Sequence, residues 1–547
     1  MNPAVGIDLG TTNTVVAVQT NDRGPEILSI RQPVDARTEF EERPEIKSAV
    51  FFESATSAVV GHYAAQRLEG IRSIKSKMGT RWRIRNEHRS PPLLQRKRPS
   101  YLTPAYVSAH ILKLAFDSVL SKFPEWDGSA VITVPAAFNT DQRADTLKAA
   151  EYAGFGDVEL MDEPTAAFYA YFDQFRESDE FATDTTVLVF DFGGGTLDVS
   201  IIKVRPLPSG VNIDAIGRSR FNDLGGDDID LDIAVFMLAV WEEASGNSIE
   251  QYPNQLRARL YRRFLQISGS YKERVEELLA SHSDPDDFFC SEKITDGKDT
   301  VEVQLAKTLT RDQYDLLAGR FLDNKREVNI FRPIEQAFSL AAQIEPSFKK
   351  TGLDLVLYTG GASQMHGVRS ALQAFFAPTL CVPVGDEGNA CRTVALGAAA
   401  YRYDRVKRQD SVKMSRRTLE AILTRPSPES GYIEIVPVTA FPQNVFQKVN
   451  HRFVMEADAV RVRVPLFRGV GIHDHQLSPI KDVVLELPRL VREGTEYELS
   501  YRVSQAKTID LQARFDVEGD PIEVSGSVPL DKDEDDPADV DLFTINK

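Results

Sequence analysis

The sequence has little that would build a disulfide framework, a metal cluster or a nucleic-acid surface. Its 547 residues include only three cysteines, Cys290, Cys381 and Cys391, an odd and widely spaced set without a pairing or metal-ligand pattern. The formal net charge of −17 disfavours nucleic acid and anionic membrane surfaces as partners. No apolar run reaches the length of a membrane-spanning helix. We therefore expect neither a nucleic-acid nor a membrane partner.

The first residues also lack the basic and apolar regions of a secretory leader, because the chain enters a strand pattern at Val5. Together with the sparse cysteines, this favours a reducing compartment, and we expect a cytoplasmic location.

Two glycine-threonine loops are the most informative feature that is present. The first is VGIDLGTTNT, Val5–Thr14, and the second is VLVFDFGGGTLD, Val187–Asp198. In each, an apolar strand reaches an Asp and then a turn whose glycines let backbone N–H groups approach a phosphate closely. Because two such loops facing each other would hold a triphosphate and its metal ion from both sides, the sequence predicts a protein that uses ATP.

The chain is too long for one core, and its patterns change near residue 405. Residues 1–405 alternate strand and helix signals, and both halves of this region open with a strand, an Asp, a Gly-Thr turn and a returning strand. This weak repeat predicts two similar subdomains with a cleft between them. We expect a linker at 406–425, an antiparallel β domain at 426–530, where apolar residues recur with period two, and an acidic tail at 531–547.

Several further motifs in residues 1–405 occur in the order typical of one known family. They are GIDLGTTNT at Gly6–Thr14, VITVPAAFN at Val131–Asn139, EPTAA at Glu163–Ala167, DFGGGTLD at Asp191–Asp198, LGGDD at Leu224–Asp228, and the pair Gly360 and Gly361. With these motifs the region resembles the nucleotide-binding domain of Hsp70 (DnaK-like) chaperones. The resemblance implies an α/β fold of the actin/hexokinase type, a two-lobed ATPase domain, followed by an antiparallel β-sandwich.

The resemblance also implies roles for individual residues around ATP or ADP. The implied catalytic residues are Lys75, Glu163, Asp191 and Thr196. The implied nucleotide contacts are Gly10, Thr11, Thr12, Asn13, Gly193, Gly194, Gly195, Thr196, Gly225, Gly226, Asp227, Gly360, Gly361 and Gln364. Asp8, Asp191 and Asp198 would hold Mg²⁺, with K⁺ as a second candidate ion.

The sequence departs from the family at positions that bind the adenine base and at a position linked to coupling between the domains. Gln364 stands where an arginine is expected after the glycine turn, and Glu276 and Glu277 stand where cations are usual. Loss of a stacked guanidinium would weaken base binding by about 1–2 kcal/mol. Ala137 replaces an aromatic residue near Pro135, which weakens the expectation of the usual coupling between domains.

Three functions remain open at this point. The first is a divergent Hsp70-like ATPase that binds polypeptide clients through its β domain, without a helical lid, and works with a J-domain cochaperone and a nucleotide exchange factor. Phe441, Val445, Phe446 and Phe467 are candidate liners of a peptide groove. The second is a nucleotide-sensing regulatory or adaptor protein that docks a dedicated partner and hydrolyses ATP weakly or not at all. The third is an actin-like filament ATPase or a sugar kinase of the same fold.

Overall fold

The chain forms two compact units, the first holding nearly all of residues 1–414 and the second nearly all of 415–538. The computed structural model describes residues 2–34, 39–54, 57–67, 69–86, 100–138, 140–176, 181–207, 210–219, 224–296, 299–385, 392–407, 412–414, 421–425, 433–436, 446–469, 478–480, 482–503, 508–517 and 519–529.

The first unit opens with a lobe built on a mixed sheet. Its strands are β1 Ala4–Leu9, β2 Asn13–Gln19, β3 Glu26–Ile27, β4 Ile30–Pro33, β5 Phe40–Arg43, β6 Glu45–Lys47, β7 Ala49–Ser54, β8 Ser57–Val60, β9 Ile71–Arg72, β10 Ile84–Arg85, β11 Tyr101–Leu102, β12 Ala130–Val134 and β13 Val158–Asp162. Its helices are α1 His62–Gln66, α2 Pro104–Lys122, α3 Thr140–Ala153 and α4 Glu163–Phe175. The main sheet runs β13-β12-β1-β2-β3, with β6 also paired to β2.

The second lobe repeats this arrangement. Its strands are β14 Thr185–Phe192, β15 Leu197–Leu207, β16 Gly210–Arg218, β17 Asp287–Asp296, β18 Asp299–Thr308, β19 Leu355–Thr359, β20 Leu380–Pro383 and β21 Val412–Met414. Its helices are α5 Gly226–Ser245, α6 Asn254–Ala280, α7 Arg311–Ala318, α8 Phe331–Ile344, α9 His366–Phe376 and α10 Thr393–Lys407. The main sheet runs β20-β19-β14-β15-β16-β21.

The two sheets share their connectivity, which confirms the predicted internal repeat. In each lobe the opening strand, β1 or β14, pairs antiparallel with the next strand and parallel with a later one, β12 or β19. Parallel neighbours place their carboxyl ends at one edge of the sheet, which is where ligands bind in α/β folds.

Small residues let helix α10 approach the first lobe closely. A Cβ atom on Gly6 of β1 would lie 2.3 Å from the backbone nitrogen of Ala399. One on Gly397 would lie 1.8 Å from the carbonyl oxygen of Ala166 in α4. Side chains at Gly6 or Gly397 would therefore push α10 away from β1 and α4.

The segment predicted as a linker, 406–425, forms strands in two of its three described parts, and the third, 406–407, is the end of α10. Val412–Met414 forms β21, which pairs parallel with β16 and places Val412 beside Val211. Ala421–Thr424 forms a strand of the second unit. The chain leaving the first unit thus extends the sheet of the second lobe.

The second unit is built from antiparallel strands around one apolar core. They are β22 Ala421–Thr424, β23 Ile433–Val436, β24 Gln447–Val454, β25 Ala459–Val464, β26 Leu466–Gly469, β27 Ser478–Pro479, β28 Val483–Val491, β29 Glu496–Val503, β30 Thr508–Val517 and β31 Asp520–Pro529. They pair in the orders β23-β22-β26-β27, β24-β29-β30-β31 and β25-β28. A sandwich arrangement of these sheets stays a prediction, and Phe441, Val445 and residues 531–547 lie outside the described residues.

None of the described helices combines the length and apolar character needed to cross a membrane. Cys290 and Cys381 are free thiols, and Cys391 lies outside the described residues.

Candidate active site

Asp8 and Asp191 occupy matching positions in the two sheets. Asp8 lies beside Thr133 of the parallel neighbour β12, and Thr133 Oγ1 donates a hydrogen bond of 3.2 Å to Asp8 Oδ1. Asp191 lies beside Thr359 of the parallel neighbour β19. Each strand thus delivers its Asp to the edge of the sheet where the glycine-threonine turn begins.

The two glycine-threonine turns lie against each other. A Cβ atom on Gly194 would lie 2.5 Å from Thr12 Oγ1, and one on Gly195 would lie 2.9 Å from Thr11 Cγ2. A Cβ atom at either position would force Thr11 or Thr12 to move, so glycine lets the two turns lie this close together. The structure therefore brings together the two predicted halves of a phosphate site.

The first turn is held by a serine that the sequence analysis did not single out. Ser48 Oγ donates to the carbonyl oxygen of Gly10 at 2.7 Å, and the Ser48 N–H donates to the carbonyl of Thr12 at 2.9 Å. Strand β6, directly before Ser48, pairs with β2 so that Lys47 lies opposite Asn13. These contacts fix the backbone of the turn.

The second turn is closed on itself and supported by the start of α5. The Gly193 N–H donates to the carbonyl of Thr196 at 3.0 Å. The N–H groups of Gly226 and Asp227 donate to the carbonyls of Gly193 and Gly194 at 3.0 and 2.7 Å. A Cβ atom on Gly225 would lie 2.1 Å from the Gly194 carbonyl oxygen. The predicted contacts at 225–227 therefore adjoin the turn, and two of their N–H groups already serve to brace it.

Lys75 and Glu163 form an ion pair inside this site. Lys75 lies in a short 3₁₀ helix, Ile74–Lys77, and its Nζ donates to Glu163 Oε1 at the first residue of α4. The two residues are only 5% and 6% exposed. Lys75 Nζ also lies 5.9 Å from the centre of the Phe138 ring. Both predicted catalytic residues are therefore shielded from solvent and fixed in place.

Burial raises the pKa of two of the aspartates to values near neutrality. It raises the pKa of Asp8 to about 7, with a further contribution from Glu163 and opposition from Lys75 and Thr133. Burial also raises the pKa of Asp198 to about 7. Glu163 contributes to this rise, and Lys75 opposes it. The charge of Lys75 alone does not offset the burial of either carboxyl group.

The pKa values of Asp191 and Lys75 are also raised, but burial has opposite effects on the two groups. Burial raises the pKa of Asp191, and Glu163, Asp198 and Asp8 raise it further. Burial on its own would lower the pKa of Lys75, but Glu163 and Asp8 outweigh it and the pKa is raised. Lys75 therefore stays protonated among carboxylates that exceed it in number.

This excess of buried carboxylate fits a divalent cation. Asp8, Asp191 and Asp198 offer the hard oxygen atoms that Mg²⁺ prefers, and a cation among them would oppose the effects of burial and of neighbouring carboxylates that raise their pKa values. Among the described residues, no three His, Cys, Asp or Glu side chains are grouped closely enough to hold a metal ion directly. The residues present therefore fit an ion held through water molecules.

The third glycine turn meets the second aspartate. Gly360 has φ of +87°, and a Cβ atom there would lie 2.4 Å from the carbonyl oxygen of Phe192 and 2.6 Å from Asp191 Oδ1. Next to it, Gly361 has open space on its Cβ side. Gly360 thus lets the turn after β19 reach the end of β14.

The residues that depart from the family pattern are engaged with other protein groups. Gln364 donates to Ser363 Oγ at 3.2 Å and accepts from Arg369 of α9. Glu276 of α6 accepts from Tyr314 Oη at 2.6 Å and from the N–H of His366, the first residue of α9, at 2.9 Å. Glu276 therefore stabilises the start of α9 as a carboxylate at a helix N-terminus.

The segment Ala136–Phe138 ties the two lobes together beside this site. Arg143 of the first lobe donates to the carbonyls of Phe138 and Ala136, at 3.0 and 3.4 Å, and to Asp162 at 2.6 Å. From the second lobe, the buried Arg218 donates to the Ala136 carbonyl. The Ala137 N–H donates to Asp198. Ala137 stands where the family has an aromatic residue, and the backbone around it is held by side chains from both lobes.

Two lobes with matching sheets, facing glycine-threonine turns and a buried Lys–Glu pair are the arrangement expected of a domain of the actin/hexokinase type. The sequence model of the family described as Hsp70 protein matches residues 4–402. The chain belongs to the Hsp70 family, whose members are ATP-dependent chaperones. The match begins at β1 and ends within α10, so it covers both main sheets apart from β21.

Sequence reasoning missed several residues that shape the site, among them Ser48, Thr133, Lys47 and Arg218. Each acts through a neighbour that is distant in the chain, such as Thr133 on Asp8. Only Thr133 carried a signal, because it lies in the VITVPAAFN motif.

Proposed function

We propose that this chain binds ATP with Mg²⁺ between the two turns and hydrolyses it slowly to switch between conformations. The observation that supports this most directly is the buried Lys75–Glu163 pair among the aspartates of both lobes. A solvent-shielded cation with fixed carboxylates is what phosphoryl transfer requires, because catalysis there depends on positioning and on neutralising charge.

In this mechanism, the hydroxyls of Thr11, Thr12 and Thr196 and the N–H groups of the glycine turns hold the β- and γ-phosphates. Lys75 screens the charge of the γ-phosphate, and Glu163 orients the attacking water. Asp8, Asp191 and Asp198 would hold Mg²⁺ through water.

Bound there, Mg²⁺ would neutralise charge on the phosphate oxygens. Lys75 holds the Glu163 carboxyl in place. The water oxygen bonds to the γ-phosphorus while the bond from that phosphorus to the bridging oxygen of ADP breaks, and the proton that the water loses passes to the phosphate product.

We further propose that the second unit binds extended polypeptide, and that a J-domain cochaperone and an exchange factor act on the first unit, as in the family. Antiparallel strands with an apolar core support the first of these, since sheet edges and apolar pockets accept extended peptides. Phe446, which lies 4.9 Å below the Arg502 guanidinium, and Phe467 remain candidate contacts.

A nucleotide sensor with little hydrolysis is the second candidate. It is favoured by Gln364 and Glu276, which bond to protein groups and do not supply the cations that the family uses around the base. On this reading, base binding is weaker than in other members while the phosphate site remains intact.

Single-turnover hydrolysis separates the two candidates. We expect Lys75→Ala to slow ATP hydrolysis at least about 100-fold, while ADP binding survives. Lys77→Ala, in the same 3₁₀ helix but partly exposed, removes an equal charge and should change the rate less than about threefold. A wild-type rate equal to that of Lys75→Ala would favour the sensor.

Client binding needs its own measurement. We expect a fluorescent unfolded peptide to bind the full chain with an affinity that changes between ATP and ADP. Peptide binding that ignores the nucleotide would contradict the proposed coupling, and no peptide binding at all would favour a dedicated protein partner.

A further inference from the structure

Lys47 is fixed beside the first turn by the residues around it. Strand β6 places it opposite Asn13, and the preceding residue, Ile46, lies opposite Thr14. Ile46 is fully buried, whereas Lys47 and Asn13 are half-buried. Because residues that face each other across a strand pair share a face of the sheet, Lys47 and Asn13 point away from the core on the same side. The Ser48 hydrogen bonds to the turn follow directly in the chain.

The charge of Lys47 has no ion-pair partner among the described residues. Glu45, two residues earlier and on the same face of β6, forms an ion pair of 3.1 Å with Arg392. For Lys47, no carboxylate oxygen of a described residue lies within 4.0 Å of Nζ. Its charge nevertheless reaches the second lobe. Burial raises the pKa of Asp227 to about 6, and Lys47 is among the cations that oppose this rise.

Asn13, opposite Lys47, has a side-chain oxygen without a hydrogen-bond donor among the described residues. This Oδ1 atom is buried. A buried acceptor without a donor is uncommon in folded proteins, and it suggests a partner that arrives with a ligand. Within the described part of the chain, the site thus offers a cation that has no carboxylate at ion-pair distance, next to an acceptor without a donor. A nucleotide carries the complement of both, in its phosphate oxygens and its ribose hydroxyls.

We propose that Lys47 is a nucleotide-binding residue whose ammonium group contacts the phosphate chain held by the turn at Gly10–Asn13, while Asn13 Oδ1 accepts from a hydroxyl or a bound water of the same ligand. This assignment rests on the proposed nucleotide function. Lys47 would be a second cation from the first lobe, in addition to Lys75. Lys75 already forms an ion pair with Glu163.

Calorimetric titration of the full chain with MgADP and with adenosine tests the assignment. We expect Lys47→Gln to weaken MgADP binding about tenfold, which is typical of one lost hydrogen bond to a charged group. Lys47→Arg should recover binding to within about threefold of the wild type. Adenosine has no phosphate, so its affinity should be the same in the wild type and in Lys47→Gln. Lys122→Gln, at an exposed position at the end of α2, controls for the change in net charge.

The outcomes separate this assignment from the proposed function. If Lys47→Gln binds MgADP as tightly as Lys122→Gln does, Lys47 is not a phosphate contact. If Lys47→Gln weakens adenosine and MgADP equally, its effect is structural and the assignment is also wrong. A wild-type chain that binds neither ligand overturns the proposed function, and the assignment of Lys47 is then lost with it.

Discussion

Lys75 and Glu163 lie 88 residues apart in the chain and meet as a buried ion pair. Their neighbours make the pair unequal. Asp8 and Asp198 also interact with Lys75, whereas Glu163 raises the pKa of both aspartates. Removing the lysine therefore leaves several buried carboxylates without a cation, while removing the carboxylate charge leaves the lysine with other anions nearby.

We predict that Lys75→Ala destabilises the chain more than Glu163→Gln does. Removal of one partner of a buried pair costs about 3–5 kcal/mol when the remaining charge is left uncompensated, and this applies to the lysine variant. For Glu163→Gln we expect a loss below about 2 kcal/mol, because Asp8 still compensates Lys75.

Urea unfolding without nucleotide measures both free energies. The double variant Lys75→Ala/Glu163→Gln should be more stable than Lys75→Ala alone, because one buried charge fewer is left unpaired. Equal losses for the two single variants would mean that the aspartates do not depend on Lys75.

The two glycines of the third turn should respond differently to the same substitution. Gly360→Ala would place a Cβ atom 2.4 Å from the Phe192 carbonyl oxygen in a backbone with φ of +87°, and we expect it to cost at least about 2 kcal/mol. Gly361→Ala adds the same methyl group where nothing lies within 4 Å. It should change the free energy of unfolding by less than about 0.5 kcal/mol.

Thermal unfolding of both variants checks this difference. A tolerated Gly360→Ala would show that the turn can move away from the end of β14, and Asp191 would then be less rigidly placed than the structure indicates.

Local patterns in the sequence predicted the strands and glycine turns that carry the site residues. Strand β1, the turn at Gly10 and strand β14 each carry an uninterrupted signal, because apolar runs and glycine turns depend on neighbours in the chain. The repeat between the lobes followed from the same patterns.

Contacts between distant segments could not be predicted in this way. The pairing of Lys47 with Asn13 depends on β6 joining β2 across an intervening hairpin, and no period in the sequence encodes that choice. The addition of Val412–Met414 to β16 is similar, since three residues are too few to show a pattern. Glu276 was noted as an exception to the family, but its role at the start of α9 required the structure.

Asp404 joins the last helix of the first unit to α4, and we predict that it matters for stability. It accepts hydrogen bonds from Tyr169 and Arg176, and its side chain is only 4% exposed. Asp404→Asn would leave the half-buried Arg176 without its more deeply buried charged partner, so we expect a loss of about 2–3 kcal/mol.

Asp173 provides the matched control, because it pairs with the same Arg176 but its side chain is 24% exposed. We expect Asp173→Asn to cost less than about 1 kcal/mol. Urea unfolding of the two variants gives the comparison, and a larger loss for Asp173→Asn would show that Tyr169 and Arg176 do not rely on Asp404.

His110 should make the stability of the first unit depend on pH. His110 lies on α2, and its buried ring contacts Phe52 and Tyr106, with 5.0 and 5.1 Å between ring centres. Its Nδ1 lies 2.9 Å from the Tyr106 carbonyl oxygen. Burial lowers the pKa of His110 from its usual 6.5 to about 4, against the smaller effect of that hydrogen bond. The folded state therefore binds a proton less readily than the unfolded state does.

Because the folded pKa lies below the unfolded one, the unfolded state binds more protons between pH 6.5 and pH 4, and stability falls as the pH falls through this window. The full loss is about 3 kcal/mol, reached near the lower limit, and no effect is expected above the upper one. His110→Phe keeps an aromatic ring but cannot be protonated, so its free energy of unfolding should fall less over the same window. Urea unfolding of both proteins at matched pH isolates the histidine from the carboxylates that titrate nearby. Parallel curves for the two proteins would show that His110 does not lose its proton on folding.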